Sequence, residues 1–194
     1  MSFEDELLNL LREKSAYLEG HFLLSSGLHS PNYMQCARIL QFPQIASSLG
    51  QEIRKKLSSE TGPVDVVLSP ALGGLIIGHE VARSWDVPFL FCERENGQMR
   101  MRRFDMKPGQ NVVVIEDVVT TGGSTKETIA VAESLGGKIV GIGSIVDRAS
   151  KPPDFPAVFR SLLKLPLDNY QPESCPLCAK NIPLVKPGSR QSSK

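Results

Sequence analysis

Four short apolar runs in the middle of the chain dominate its pattern of hydrophobic and polar positions. They are residues 64–68, 88–92, 111–115 and 138–146, most of them rich in β-branched residues. Their apolar character is continuous rather than alternating, which is typical of strands covered on both faces, as in a parallel sheet. We therefore predict four strands of one buried, parallel sheet.

The segments beside these strands have helical periodicity. Residues 75–84 and 124–135 are predicted helices, and the second begins with a capping-box sequence formed by Ser124 and Glu127. Alternation of strands and helices indicates βαβ units, which close in the right-handed sense. The predicted fold class is an open α/β sheet.

Two further helices are predicted before the first of these strands. Ser2 can cap a helix whose apolar residues repeat on one face, namely Phe3, Leu7, Leu8 and Leu11. Residues 43–57 form the second predicted helix, because Pro43 suits a first turn and apolar residues recur at every fourth position. Residues 20–40 between them are predicted to form short strands and turns.

The last part of the chain has a different character. After Lys151, frequent prolines exclude long helices, so we expect one strand near 158–163 followed by an irregular segment. Residues 188–194 are expected to be disordered. We predict a single domain over residues 1–187, since no linker or repeat interrupts the pattern.

Composition narrows the class of protein. The chain has 22 Lys and Arg against 21 Asp and Glu, a net charge of +1, and so lacks the basic excess of a nucleic-acid-binding domain. No apolar run approaches the roughly 18 residues of a membrane span, and the acidic N-terminus is unlike a signal peptide. Because the chain has only four cysteines, we expect a cytoplasmic protein without disulfides. Its charge and its apolar pattern lead us to expect neither nucleic acid nor membrane as a partner.

One segment carries candidate chemistry: residues 116–124, Glu-Asp-Val-Val-Thr-Thr-Gly-Gly-Ser, between a predicted strand and a predicted helix. Ligands of parallel sheets bind at the carboxyl ends of strands. Gly122, Gly123, the hydroxyl groups and the helix N-terminus suit a phosphate. Glu116 and Asp117 suit two vicinal hydroxyls of a ribose. The string thus favours a ribose 5-phosphate site, and the alternative is a glycine-rich turn whose acids are merely solvated.

This string resembles the PRPP-binding signature of the type I phosphoribosyltransferases. PRPP is ribose 5-phosphate with a diphosphate on C1. The resemblance implies a central, mostly parallel sheet flanked by helices, a small N-terminal hood on the substrate side, and a mobile loop. It implies PRPP binding by Arg94, Glu116, Asp117, Val118, Val119, Thr120, Thr121, Gly122, Gly123 and Ser124.

Other segments resemble the orotate phosphoribosyltransferase family, which makes orotidine 5'-monophosphate in de novo pyrimidine (UMP) biosynthesis. Residues 20–31 look like its N-terminal substrate segment and residues 69–74 like its pyrophosphate loop. Residues 93–103 look like its mobile catalytic loop, although arginines and methionines replace a lysine and a histidine of better-known members. The tail from Cys175 to Arg190 is similar to that of one bacterial and archaeal branch.

The resemblance also implies roles for single residues. Arg94, Arg100 and Asp117 are the expected catalytic residues, and Thr120 and Arg148 the expected orotate contacts. Mg²⁺ is expected to arrive on PRPP, so no protein residue is assigned as a metal ligand. The resemblance further implies a homodimer in which the mobile loop acts in the neighbouring subunit. A phosphoribosyltransferase for another base and a PRPP-sensing regulator remain alternative functions.

Several polar residues have ordinary alternatives. Arg148 could form a structural ion pair with Asp147 or Asp154. The three histidines, His21, His29 and His79, lack the sequence spacing of a metal cluster and are taken as ordinary polar residues. For the cysteine pair at 175 and 178 a tight turn, a weak metal site and a redox pair stay open, with the turn favoured.

Overall fold

The computed structural model describes residues 2–24, 26–166 and 168–187, which contain six α-helices and eight β-strands. The helices are α1 (Phe3–Glu13), α2 (Ala37–Leu40), α3 (Pro43–Thr61), α4 (Gly74–Trp85), α5 (Gly123–Ser134) and α6 (Pro176–Ala179). The strands are β1 (Tyr17–Leu23), β2 (His29–Met34), β3 (Val66–Pro70), β4 (Phe89–Glu95), β5 (Gln98–Arg100), β6 (Asn111–Val119), β7 (Lys138–Asp147) and β8 (Phe159–Lys164). A 3₁₀ turn covers Pro172–Ser174.

A six-stranded sheet in the order β5-β4-β3-β6-β7-β8 forms the centre of the protein. All neighbouring pairs are parallel except β4 and β5. Alternate residues of β3 enter two different core layers: Val67 packs with Ile77 of α4, while Val66 and Leu68 pack with Ile129 of α5. Burial on both faces explains the unbroken apolar runs, and the predicted parallel α/β sheet is confirmed.

The N-terminal cap of α1 is as predicted, whereas that of α5 is not. Ser2 Oγ accepts a hydrogen bond from the Asp5 amide at 3.2 Å, and the Ser2 amide donates to Asp5 Oδ2 at 3.0 Å. The predicted capping box at Ser124 is wrong: α5 begins at Gly123 and its N-cap is Gly122, without a side-chain cap. Gly122 has φ 77°, and a β-carbon there would lie 3.0 Å from the Phe155 ring. The helix therefore begins two residues earlier than the capping pattern indicates.

A small antiparallel hairpin of β1 and β2 lies outside the main sheet, with a bulge between Glu19 and Phe22. The C-terminal segment pairs with this hairpin at two isolated bridges, Phe22 with Val185 and His29 with Tyr170. The strands and turns predicted for residues 20–40 are confirmed over residues 20–34, whereas residues 37–40 form the short helix α2 instead. The strand predicted near 158–163 is confirmed. The predicted disordered tail, 188–194, and Ser25 of the predicted substrate segment lie outside the described residues.

The predicted mobile loop is folded as a hairpin of β4 and β5. Asn96 and Gly97, with φ 50° and 82°, form its tight turn. Met99 and Met106 are buried in the core layer beside α5, each with 8% of its surface exposed. Met99 on β5 therefore anchors this segment, and Met106 anchors the chain just beyond it, although no periodic pattern in the sequence reveals either contact. Its mobility stays a prediction.

Among the residues that the structure describes, no helix combines the length and the apolar character that crossing a bilayer would require.

Candidate active site

The register between β6 and β7 brings two predicted site residues together. Val119 lies opposite Asp147 in this parallel pair, and the Arg148 amide donates to the Val119 carbonyl oxygen at 2.8 Å. Thr120 and Arg148 are the next residues of the two strands and leave the sheet side by side. The first residue of the Thr/Gly/Ser loop and the predicted base-binding arginine thus lie at one edge of the sheet, although 28 positions separate them in sequence.

The first turn of α5 forms a cradle of backbone amides and hydroxyl groups. Its first intrahelical hydrogen bond is donated by the Lys126 amide to the Gly122 carbonyl oxygen at 2.8 Å. The amides that precede Lys126 in the helix have no helical acceptor, which makes this end of α5 suited to an anion. Thr120, Thr121 and Ser124 are exposed around it. The predicted phosphate-binding residues are therefore contiguous around one helix N-terminus.

Two carboxylates lie at the end of β6 immediately before this cradle. Glu116 is buried, with 8% of its surface exposed, and Asp117 is half-buried. Asp117 Oδ1 accepts a hydrogen bond from the Val118 amide at 2.8 Å, and Glu116 Oε1 accepts one from the Asp117 amide at 3.3 Å. Burial and the neighbouring Asp117 raise the pKa of Glu116 from 4.5 to about 9. Burial also raises the pKa of Asp117. The pair favours a partner that supplies hydrogen-bond donors or positive charge.

The loop after β3 approaches the same carboxylates. A β-carbon at residue 73 would lie 2.5 Å from Asp117 Oδ1, so only glycine fits there while the carboxylate keeps its position. The predicted pyrophosphate loop, 69–74, is thus brought against the predicted ribose-binding acids. Sequence reasoning assigned the two segments separately, and the structure joins them through Gly73.

Arg148 lines a cavity of about 500 Å³ beside the cradle. The cavity is lined by Leu23, Leu24, Ser26, Leu28, Tyr33, Thr120, Thr121, Arg148, Asn169, Lys186 and Pro187. Arg148 Nε is buried and has no hydrogen-bond partner among the described residues. Burial lowers the pKa of Arg148, and a desolvated cation of this kind favours an anionic ligand.

The alternative of a structural ion pair for Arg148 is wrong within the part of the chain that the structure describes. None of the ion pairs there includes Arg148. Asp147 Oδ1 instead accepts the Ala149 amide at 2.9 Å. Asn169 and Lys186, which also line the cavity, were not predicted, because nothing in the local sequence of the tail indicates which of its residues return to the hairpin.

The loop arginines lie on the β4–β5 hairpin, away from the cradle. Arg94 forms an ion pair with Glu127 of α5 and donates to the Gly97 carbonyl oxygen at 2.9 Å. Arg100 Nη2 donates to Gln98 Oε1 at 2.8 Å, and Arg100 borders a surface hollow with Val131 and Leu135. These last two residues are at the far end of α5, a helix of 12 residues and thus about 18 Å long. The chain's own fold does not bring Arg100 to the cradle.

The histidines divide into two groups. His79 is exposed on α4, next to Glu80 and edge-on to Phe89. His21 and His29, in contrast, meet Cys175 and Cys178, and the four potential ligand atoms all lie within 4.8 Å of one another. Reasoning from sequence spacing missed this cluster, because its two halves come from segments about 150 positions apart.

Comparisons with known proteins agree with this geometry. The family model described as phosphoribosyl transferase domain matches residues 36–177. The orotate phosphoribosyltransferase of Carboxydothermus hydrogenoformans is 49% identical over 187 residues, which is 96% of this chain and 98% of that protein. That of Thermotoga maritima is 50% identical over 182 residues, 93% of this chain and 96% of the relative. The crystal structure of orotate phosphoribosyltransferase from Aeropyrum pernix superposes with a TM-score of 0.69 at 26% identity, covering 82% of this chain and 93% of that one.

Proposed function

The chain belongs to the orotate phosphoribosyltransferase family, and on that basis we propose that it transfers ribose 5-phosphate from PRPP to orotate. The products are orotidine 5'-monophosphate and pyrophosphate, a step of de novo pyrimidine biosynthesis. One observation supports the assignment of the substrates to this site: Arg148, whose buried Nε has no hydrogen-bond partner among the described residues, lines the same cavity as Thr120 and Thr121 of the cradle. An anionic base and a 5-phosphate therefore have neighbouring binding groups.

The ribose phosphate binds along residues 116–124. The amides of the first turn of α5 and the hydroxyl groups of Thr120, Thr121 and Ser124 donate to the 5'-phosphate. Glu116 and Asp117 accept hydrogen bonds from the two ribose hydroxyls, which compensates their burial. Val118 and Val119 contribute backbone between the two groups.

Orotate binds in the cavity with its carboxylate toward Arg148. A guanidinium can donate two parallel hydrogen bonds to a carboxylate, and the buried setting strengthens them. Tyr33 and the leucines of the hairpin supply the apolar walls for the ring. Bond formation needs orotate N1 at C1 of the ribose while pyrophosphate leaves, so the protein contributes positioning and charge stabilisation rather than covalent catalysis.

The carboxylate pair also fits Mg²⁺. Glu116 and Asp117 offer hard oxygen ligands, and their raised pKa values indicate that the isolated protein lacks a compensating charge beside them. When bound with PRPP, Mg²⁺ would neutralise charge on the diphosphate that departs. The protein's own part is to hold the ribose hydroxyls and to exclude water.

The active enzyme is a homodimer in which the β4–β5 hairpin acts on the neighbouring subunit. Support comes from the position of Arg100 beside Val131 and Leu135, toward the C-terminal end of α5, whereas the cradle lies at the N-terminal end of this helix. Arg94 and Arg100 would oppose the charge that develops on pyrophosphate, after exchanging their present partners for substrate. The absence of disulfides among Cys36, Cys92, Cys175 and Cys178 supports a cytoplasmic location.

A single assay tests the reaction. Purified protein is mixed with orotate, PRPP and Mg²⁺, and orotate absorbance is followed. In parallel reactions, hypoxanthine, guanine or uracil replaces orotate. We expect consumption of orotate alone and no reaction when Mg²⁺ is chelated. Turnover of a purine at an equal rate would assign a different base, and tight PRPP binding without turnover would assign a regulator.

A further inference from the structure

Four side chains from opposite ends of the chain converge beside the hairpin of β1 and β2, which we call the hood hairpin. His21 of β1, His29 of β2 and Cys175 are buried, with 2%, 5% and 4% of their surfaces exposed, while Cys178 is exposed. His21 Nε2 lies 2.9 Å from His29 Nδ1, 3.5 Å from Cys175 Sγ and 3.8 Å from Cys178 Sγ. Cys178 Sγ lies 3.3 Å from His29 Nδ1. Two imidazole nitrogens and two thiol sulfurs thus surround one point.

The nitrogen–sulfur separations are close to those of a tetrahedral metal site, whereas the nitrogen–nitrogen distance of 2.9 Å is shorter than such a site requires. Zinc bonds of about 2.0–2.1 Å to nitrogen and about 2.3 Å to sulfur imply edges of about 3.3 Å between nitrogens and about 3.6 Å between nitrogen and sulfur. The nitrogen–sulfur distances of 3.3, 3.5 and 3.8 Å bracket the second value. Two His and two Cys also form a closed ligand set of the kind that holds structural zinc rather than catalytic zinc.

The surroundings of His21 prepare one of its nitrogens as a ligand. His21 Nδ1 lies 2.8 Å from the Ile182 carbonyl oxygen, which can only accept a hydrogen bond. Nδ1 therefore carries the proton, and Nε2 presents a lone pair to the centre of the cluster. This contact excludes the opposite tautomer of His21, so the lone pair of Nε2 can accept a proton from His29 or from a thiol, or can bind a cation.

The backbone holds the two halves of the cluster together independently of the side chains. The Leu23 amide donates to the Val185 carbonyl oxygen at 2.9 Å, and the Val185 amide donates to the His21 carbonyl oxygen at 2.8 Å. His29 and Tyr170 exchange two further bonds at 2.9 and 2.8 Å. Cys175 is the N-cap of the one-turn helix α6 and Cys178 lies within it, and this spacing of three residues turns both thiols toward the hairpin.

We infer that His21, His29, Cys175 and Cys178 bind one structural Zn²⁺ that fastens the C-terminal segment to the hood hairpin. The fastened segment includes Asn169 and Lys186, which line the cavity beside Arg148. Zinc would therefore fix a wall of that cavity without taking part in the reaction. The inference rests on the ligand geometry and is independent of the proposed reaction.

Metal content is the direct test. The protein is purified without a polyhistidine tag, under reducing conditions, and dialysed against zinc-buffered solution before elemental analysis. We expect about one zinc per chain in the wild type. Cys178→Ser and His29→Asn should each lose it, whereas His79→Asn, at an exposed histidine, and Cys92→Ala, at a buried cysteine elsewhere, should keep it.

Thermal unfolding supplies a second measurement that does not depend on activity. Without substrates, a strong zinc chelator should lower the Tm of the wild type on the order of 10 °C, because a ligand far above its Kd stabilises only the folded state. The chelator should leave the Tm of Cys178→Ser unchanged, and the exposed position of this residue makes it a variant expected to fold. Zinc-free protein with both thiols reactive would overturn the inference. So would a Cys175–Cys178 disulfide that persists in the presence of zinc.

Discussion

Replacement of Arg148 tests the orientation of the base most directly. In Arg148→Ala, the carboxylate of orotate loses a guanidinium that is buried and otherwise unpartnered at Nε. A hydrogen bond to a charged group is worth about 1.5–3 kcal/mol, which corresponds to about 10–150-fold in affinity. Since the expected contact has two such bonds, KM for orotate should rise by at least this factor, while KM for PRPP stays within about threefold.

The stability of the same variant separates a functional from a structural role. Burial lowers the pKa of Arg148, which means that the folded protein holds its charge at a cost in desolvation. Removing the side chain should therefore leave the Tm unchanged or raise it slightly, as is common where a residue serves ligand binding. Arg148→Lys keeps the charge without the planar fork and should fall between the wild type and the alanine variant.

Steady-state kinetics with both substrates varied, together with thermal melts, provide the measurements. Arg160→Ala is the control, because Arg160 forms a surface ion pair with Glu60 at 2.7 Å and is absent from the cavity wall. If Arg148→Ala raised KM for PRPP as strongly as KM for orotate, or unfolded the protein, the assignment of orotate to this cavity would be wrong.

Three other perturbations probe the rest of the site. Asp117→Asn should lower kcat/KM for PRPP by about 10–150-fold with an unchanged Tm, and unaltered kinetics would move the ribose contact elsewhere. The raised pKa of Glu116 means that the folded protein holds a proton that the unfolded chain has lost between pH 4.5 and about 9, so the free energy of unfolding should fall as pH rises through this window. In Glu116→Gln, the free energy of unfolding measured by urea titration should depend less steeply on pH than in the wild type. An identical slope would show that Glu116 is not the cause of the pH dependence. Finally, after subunit exchange, a mixture of Asp117→Asn with a triple variant in which Arg100, Arg102 and Arg103 are changed to Ala should be more active than either variant alone, and verified exchange without this gain would exclude a shared site.

The sheet and the cradle could be predicted from sequence because both leave contiguous signatures. A strand buried on two faces has no polar residues to interrupt it, and residues 112–115 of β6 are such a run. The proposed ribose phosphate residues, 116–124, continue from the end of β6 into α5 without a gap, since a single strand–loop–helix turn supplies all of them. Their identities are therefore visible as a string.

Contacts made at long range left no such signature. The walls contributed by Asn169 and Lys186 depend on where an irregular tail returns to the hairpin. The His and Cys cluster depends on the same return. Even at the α5 cap, where Gly122 adopts a left-handed conformation, the ring of Phe155, more than thirty positions away, leaves no room for a side chain. In each case the deciding neighbour is distant along the chain, and local propensity carries no information about it.

The side-by-side exit of Thr120 and Arg148 from β6 and β7 has a consequence for how such a protein can change its substrate. Adjacent strands are about 4.8 Å apart, and the hydrogen bond from the Arg148 amide to Val119 fixes the level at which the two chains leave the sheet. In the proposed binding mode, the spacing between the sugar end and the base end of the nucleotide is therefore a property of the sheet and not of any loop. Evolution can exchange residue 148 and the hood to accept another base while the ribose phosphate end is inherited intact. The residues that select the base can therefore change in evolution without a change in those that hold the ribose phosphate.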